Sequence, residues 1–91
     1  MNINELLALL KIDLGIKKSV YDARLMALLN TAMKEIEREG YKPSLSDISD
    51  CNLIIMYAQW LWRKRDTMEA MPRMIRWQLN NRLFDRGDGN G

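Results

Sequence analysis

Residues 53–62 read Leu-Ile-Ile-Met-Tyr-Ala-Gln-Trp-Leu-Trp, and Gln59 alone interrupts the apolar run. No other feature constrains the fold as much. A surface helix of a small protein carries one apolar stripe and is polar elsewhere. Here Cys51, Ile54, Ile55, Ala58, Leu61 and Trp62 already complete a helical stripe, and Leu53, Met56, Tyr57 and Trp60 form a second apolar surface beside it. A helix that is apolar nearly all round needs cover on nearly all sides. In a chain of 91 residues it must sit at the centre of the fold or pack in part against another subunit.

That length fits one domain with one core, placed at residues 1–85. The 47% apolar and 29% charged composition is that of a globular chain rather than a disordered one. The net charge of +2 is too small to imply nucleic acid by itself, although it is uneven. Residues 1–50 hold 7 basic and 8 acidic side chains (−1), and residues 51–91 hold 7 and 4 (+3). The single cysteine, Cys51, lies on the apolar stripe and reads as a buried thiol. The N-terminus lacks the basic lead-in of a signal peptide. The apolar run of ten residues is about half of a membrane span, so a cytosolic chain without membrane contact is expected.

The pattern predicts an all-α, small four-helix domain. Asn2 as N-cap with the acidic Glu5 at N3 comes close to a capping box and opens a short helix 1, Ile3 to Lys11, which stops in the stretch around Gly15. Helix 2 is long, Val20 to Glu39, with Ser19 as its cap, Tyr21, Leu25, Leu28, Leu29, Ala32, Met33 and Ile36 inward, and Gly40 as its end. Pro43 marks a loop. Helix 3 starts between Leu45 and Asp50, with Ser46, Asp47 or Ser49 as cap, and runs to about Arg65. After an irregular link over residues 66–71, Pro72 opens helix 4, with Ile75, Leu79, Leu83 and Met74 inward. Residues 86–91, with three glycines and no apolar side chain, read as a flexible tail.

The chemistry the sequence lacks narrows the function. Histidine is absent, which removes the usual general base and metal ligand, and one cysteine cannot supply a zinc site. No glycine-rich phosphate loop occurs. The carboxylates Glu35 and Glu39 lie on the polar side of helix 2. No catalytic, cofactor-binding or metal residue is assigned, and the chain is not expected to be an enzyme.

What remains are surfaces. Arg63, Lys64 and Arg65 close helix 3 beside Trp60 and Trp62, where cations favour a helix C-terminus but can also contact nucleic acid or a partner. Arg73, Arg76 and Arg82 line one broad side of helix 4. Trp60 and Trp77 fit their helices' inner stripes less well than Trp62, so subunit contact is as plausible for them as core packing. Met56 and Tyr57 on the second surface of helix 3, and Met68 and Met71 in the link, complete the expected subunit interface.

The order of these phrases resembles the head–tail connector (adaptor) family of long-tailed bacteriophages and prophages. Leu10-Lys11-Ile12-Asp13 is similar to that family's "Leu-x-Ile-Asp" phrase closing a short Leu-rich helix. Ile36-Glu37 and Gly40 resemble the end of its longer second helix, Leu53 to Arg65 its very apolar third, and Met71-Pro72 its "Leu-Pro" step into a last helix. The resemblance covers nearly the whole chain. It implies a structural subunit without cofactor. Roughly a dozen copies would form a ring at the head–tail junction of the virion. That ring would be assembled in the host cytoplasm, between portal protein and tail-completion protein, and DNA would pass through it without sequence specificity. The alternative readings are a small helical nucleic-acid-binding protein, using the six basic residues of helices 3 and 4, and a generic helical partner-binding module.

Overall fold

The computed structural model describes the backbone of residues 1–89 and side chains through Phe84; the expected tail at 86–91 falls outside the described side chains, and at 90–91 outside the described residues altogether. Four helices follow one another: α1 (Ile3–Leu14), α2 (Asp22–Arg38), α3 (Ile48–Thr67) and α4 (Arg73–Gly89). No strand occurs among the described residues.

The ends of α1 follow from its sequence. Asn2 Oδ1 accepts from the Glu5 amide at 2.9 Å and Glu5 Oε1 accepts from the Asn2 amide at 3.0 Å, which completes the capping box. The helix continues past Lys11 to Leu14, because Gly15 takes φ 72° and closes it. The Gly15 amide donates to Ile12 O and the Ile16 amide to Lys11 O, so the last carbonyls are satisfied by a Schellman turn.

The start of α2 differs from the expectation. Ser19 caps nothing with its hydroxyl; its carbonyl accepts from the Asp22 amide at 3.0 Å, a turn forms, and Tyr21 takes the cap position without a side-chain bond. Gly40 ends α2 at φ 111°, with its amide on Glu37 O and the Tyr41 amide on Ile36 O. A Cβ there would lie 3.4 Å from Leu83 Cδ2, an ordinary contact, so the positive φ rather than crowding calls for glycine.

Asp47 caps α3, accepting from the Ser49 amide at 2.8 Å and the Asp50 amide at 3.4 Å. The helix runs two residues beyond Arg65, to Thr67. Met68 stops it in the left-handed region, φ 54°, which costs a non-glycine residue about 1–2 kcal/mol. Pro72 stands just before α4, where its carbonyl accepts from the Arg76 amide at 3.3 Å.

α3 lies at the centre and contacts α1, α2 and α4. Leu53, Ile54, Ile55, Tyr57, Ala58 and Trp60 are all buried within the protomer. Leu6 and Leu10 of α1, Leu25, Leu29, Ala32 and Ile36 of α2, and Ile75 and Leu79 of α4 supply the cover. The apolar excess of α3 therefore does not require a second subunit. Of the two options its sequence leaves, the fold takes the first. Even Gln59 is used internally, its Nε2 donating to Asp13 Oδ2 at 2.8 Å. The body measures 48 × 29 × 18 Å. Its thin dimension is less than two helix diameters of about 10–12 Å, so the peripheral helices have one face on the core and the other in solvent.

Candidate functional site

The residues expected at a subunit interface divide between core and surface. Trp60 is only 9% exposed: its Nε1 donates to the Glu69 carbonyl at 2.9 Å, and its ring meets Tyr57 edge-on at 5.4 Å. The link after α3 folds back over it. Trp60 and Tyr57 are thus core residues, a correction to their assignment as exterior anchors. Burial raises the Tyr57 phenol above its ordinary value, with smaller contributions from Glu35 and Glu39. Met56 and Met71 are half-buried against the core. Met68 is 90% exposed and Trp77 is 61% exposed.

Trp77 does not stand alone. Met74 is 54% and Phe84 69% exposed. Together with Asn81 they occupy positions 74, 77, 81 and 84, a spacing of three and four that places them on one side of α4. Ile75, Leu79 and Leu83 occupy the opposite side and pack on the core. Met74, expected to point inward, belongs to the outer stripe. Phe84 carries no assignment from the sequence, although the second stripe was readable from its spacing.

A second apolar exterior lies where α1 meets the turn into α2. An open groove of about 490 Å³ is lined by Leu7, Ala8, Ile12 and Ile16, with Lys11 and Lys17 at its rim. A smaller hollow around Ile16, Lys17, Lys18 and Tyr21 continues it. Ile12 and Val20 are strongly exposed. Lys11 pairs with Asp22 at 2.7 Å, whereas Lys17 and Lys18 are exposed and make no ion pair among the described residues.

The six basic residues of helices 3 and 4 are mostly engaged by the protomer's own acids and rings. Arg63 pairs with Glu69 at 3.3 Å and Arg65 with Asp66 at 3.6 Å. Arg65 also stacks on Trp62, and Lys64 on Trp60. Arg76 grips Glu39 with both guanidinium nitrogens, at 3.1 and 2.9 Å, and this hydrogen bonding holds the Glu39 carboxyl below its usual value against a smaller opposing effect of burial. Arg82 Nε donates to Asp50 Oδ1 at 2.7 Å. Lys64 and Arg73 are exposed without an ion pair among the described residues.

Asp50 is the polar residue that the sequence did not single out. It is 1% exposed and also accepts from the Tyr41 hydroxyl at 2.7 Å and the Ser44 amide at 2.9 Å. Burial pushes its carboxyl upward, but the bonds from Ser44, Arg82 and Tyr41 outweigh that, and the net shift is downward. Arg82 bonds further to Ser49 Oγ and to the Gln78 carbonyl. The knot joins α3, α4 and the 41–44 loop and fastens them to one another.

Among the described residues no group of three or more acidic or cysteine side chains could hold a metal ion, and no helix is long and apolar enough to cross a membrane. No protein-family model, curated protein or solved structure matches the chain.

Proposed function

We propose that the chain is a non-catalytic structural subunit that assembles with copies of itself, and specifically a head–tail connector of a long-tailed bacteriophage or prophage. The observation that carries this reading is the double-sided character of α4: Ile75 and Leu79 are buried against α3 while Met74, Trp77 and Phe84 stand in solvent on the other side. Contiguous exposed aromatic and aliphatic side chains mark interaction surfaces, and tryptophan is a frequent anchor in them. The succession of phrases from Leu10-Lys11-Ile12-Asp13 to Met71-Pro72 supports the connector assignment within that class. In this reading the ring lies in the virion between portal and tail-completion proteins, and DNA passes through it without being read.

Nucleic-acid binding is the less favoured reading. A duplex-binding face needs unpaired cations. Arg63, Arg65, Arg76 and Arg82 are each paired with a carboxylate within 4 Å.

Sedimentation velocity of the purified chain at rising concentration tests the proposal. Reversible growth toward a ring-sized particle is expected, with little salt-sensitive duplex binding. A chain that stays monomeric at millimolar concentration, or one that binds duplex DNA tightly as a monomer, overturns it.

A further inference from the structure

The assembly reading leaves open how copies join. We propose that α4 is an exchangeable element: it leaves its own α3 and packs on the α3 of a second copy in the same pose, with Met68 as the hinge. This rests on the self-assembly reading and adds its joint.

Three observations carry it. The first is how α4 is attached. Its principal helix neighbour is α3. Among the described residues of α4 only Ile75 and Leu79 are fully buried, with Leu83 partly so. The rest of the core joins α3 to Leu6 and Leu10 of α1 and to Leu25, Leu29, Ala32 and Ile36 of α2. Release of α4 therefore leaves the packing among the other three helices in place.

The second is the hinge. Met68 stands at φ 54° at the end of α3, and its side chain is 90% exposed. Left-handed backbone is strained for a residue that carries a Cβ. The strain belongs to the closed form, in which the link turns back toward its own α3. A released link relaxes Met68 into extended backbone and gives up little side-chain packing there. Short connections under strain favour exchange between copies.

The third is that the bonds across the joint are re-formed by exchange. Beyond Met68, the Glu69 carbonyl accepts from Trp60 Nε1, and the Glu69 carboxylate pairs with Arg63. Arg76 grips Glu39, and Arg82 reaches Asp50 and Ser49. In the exchanged form the same partners meet from two copies, so the joint buries what the single chain buries. Such exchange is a low-cost route to assembly. Met74 and Trp77, exposed in the first turns of α4, supply the contact that exists only between copies, where the links pass each other. Lending α4 in one direction from copy to copy makes a heterologous joint, which closes into a ring when the rotation permits.

Charge reversal at one surface pair tests this. Glu39→Arg sets two arginines against each other, and Arg76→Glu sets two carboxylates. Both side chains are partly exposed, so each variant is expected to fold. Alone, each carries the clash in the closed and the exchanged form alike and is expected to associate like wild type. Mixed in equal amounts, they restore an opposite-charge pair at every joint between unlike copies, and association measured by sedimentation is expected to rise several-fold above that of either variant. A control mixture of Glu37→Arg and Arg73→Glu, which changes the charges equally at exposed positions outside the joint, is expected to show no rise.

The hinge gives a second readout. Met68→Gly relaxes the closed form and is expected to lower association several-fold, whereas Met68→Ala keeps the strain and leaves association unchanged. Oligomer isolated at high concentration is expected to part slowly on dilution, because each borrowed helix must first leave its host. No rise on mixing, an equal rise in the control mixture, or unchanged association of Met68→Gly overturns the exchange. If such oligomers also part at once on dilution, self-assembly stands through another surface. A wild-type chain monomeric at millimolar concentration overturns the exchange together with the reading beneath it.

Discussion

Arg82 Nε lies 2.7 Å from Asp50 Oδ1, across 32 positions of sequence, and this ion pair fastens the last helix to the start of the central one. Both side chains are largely withdrawn from water. Asp50→Ala leaves the guanidinium without its partner and is expected to cost roughly 3–5 kcal/mol in urea unfolding. Replacing both residues by leucine is expected to cost less than Asp50→Ala, because no unpaired charge remains. Equal losses would show that the Tyr41 and Ser44 bonds, rather than the ion pair, dominate.

Acid should loosen the same clamp. The Asp50 carboxyl titrates below its ordinary value in the fold, and an unfolded aspartate titrates near ~3.9. A depressed folded value contributes stability above the unfolded value, and that stability is lost as pH falls through the folded one. The urea midpoint is therefore expected to hold between about pH 7 and 5 and to drop below about pH 4. Asp50→Asn should flatten most of that drop, with the remainder assigned to Glu39, whose carboxyl is lowered by Arg76.

The two exterior candidates among the tryptophans should separate by experiment. Trp60→Ala opens the core and removes the donor to the Glu69 carbonyl, with an expected loss of about 3–5 kcal/mol. Trp77→Ala should shift stability by no more than about 0.5 kcal/mol. Self-association should fall with Trp77→Ala while the fold stays intact.

Cys51 is expected to resist thiol reagents until the chain unfolds. Burial raises its thiol above the usual value, and Sγ lies 3.3 Å from the Leu45 carbonyl. Labelling with an aromatic disulfide should be slow in buffer and complete within minutes in urea. Fast labelling of the native chain contradicts this placement.

Met68 holds the left-handed backbone that ends α3 and is almost wholly exposed. Met68→Gly removes the strain at the cost of a more flexible unfolded chain. A net gain of about 0.5–1 kcal/mol in thermal or urea unfolding is expected, and a loss would mean that the side chain makes contacts that matter.

The helical frame was legible because its signals are local. Asn2 with Glu5, Gly15 and Gly40 act through neighbours within a turn, and the apolar periodicity of α3 marks it as the central element. The failures share one cause. Trp60 and Trp77 both sit off their helices' inner stripes, and nothing within a few residues tells which one a returning loop will cover. Asp50 reads as one more acid near a helix start, since its guanidinium partner comes from another helix. Ser19 looked like a cap because hydroxyl residues commonly are one, whereas here only its carbonyl is used. The groove beside Ile12 is formed by two segments meeting and has no signature in either.

The exposure of Trp77 also gives the molecule a built-in optical gauge. Trp60 and Trp62 are held against protein, so the water-relaxed part of the indole emission comes mainly from position 77. Burying that ring shifts its light toward the blue, and the colour of an unlabelled sample then reports how much of the outer face of α4 has left water.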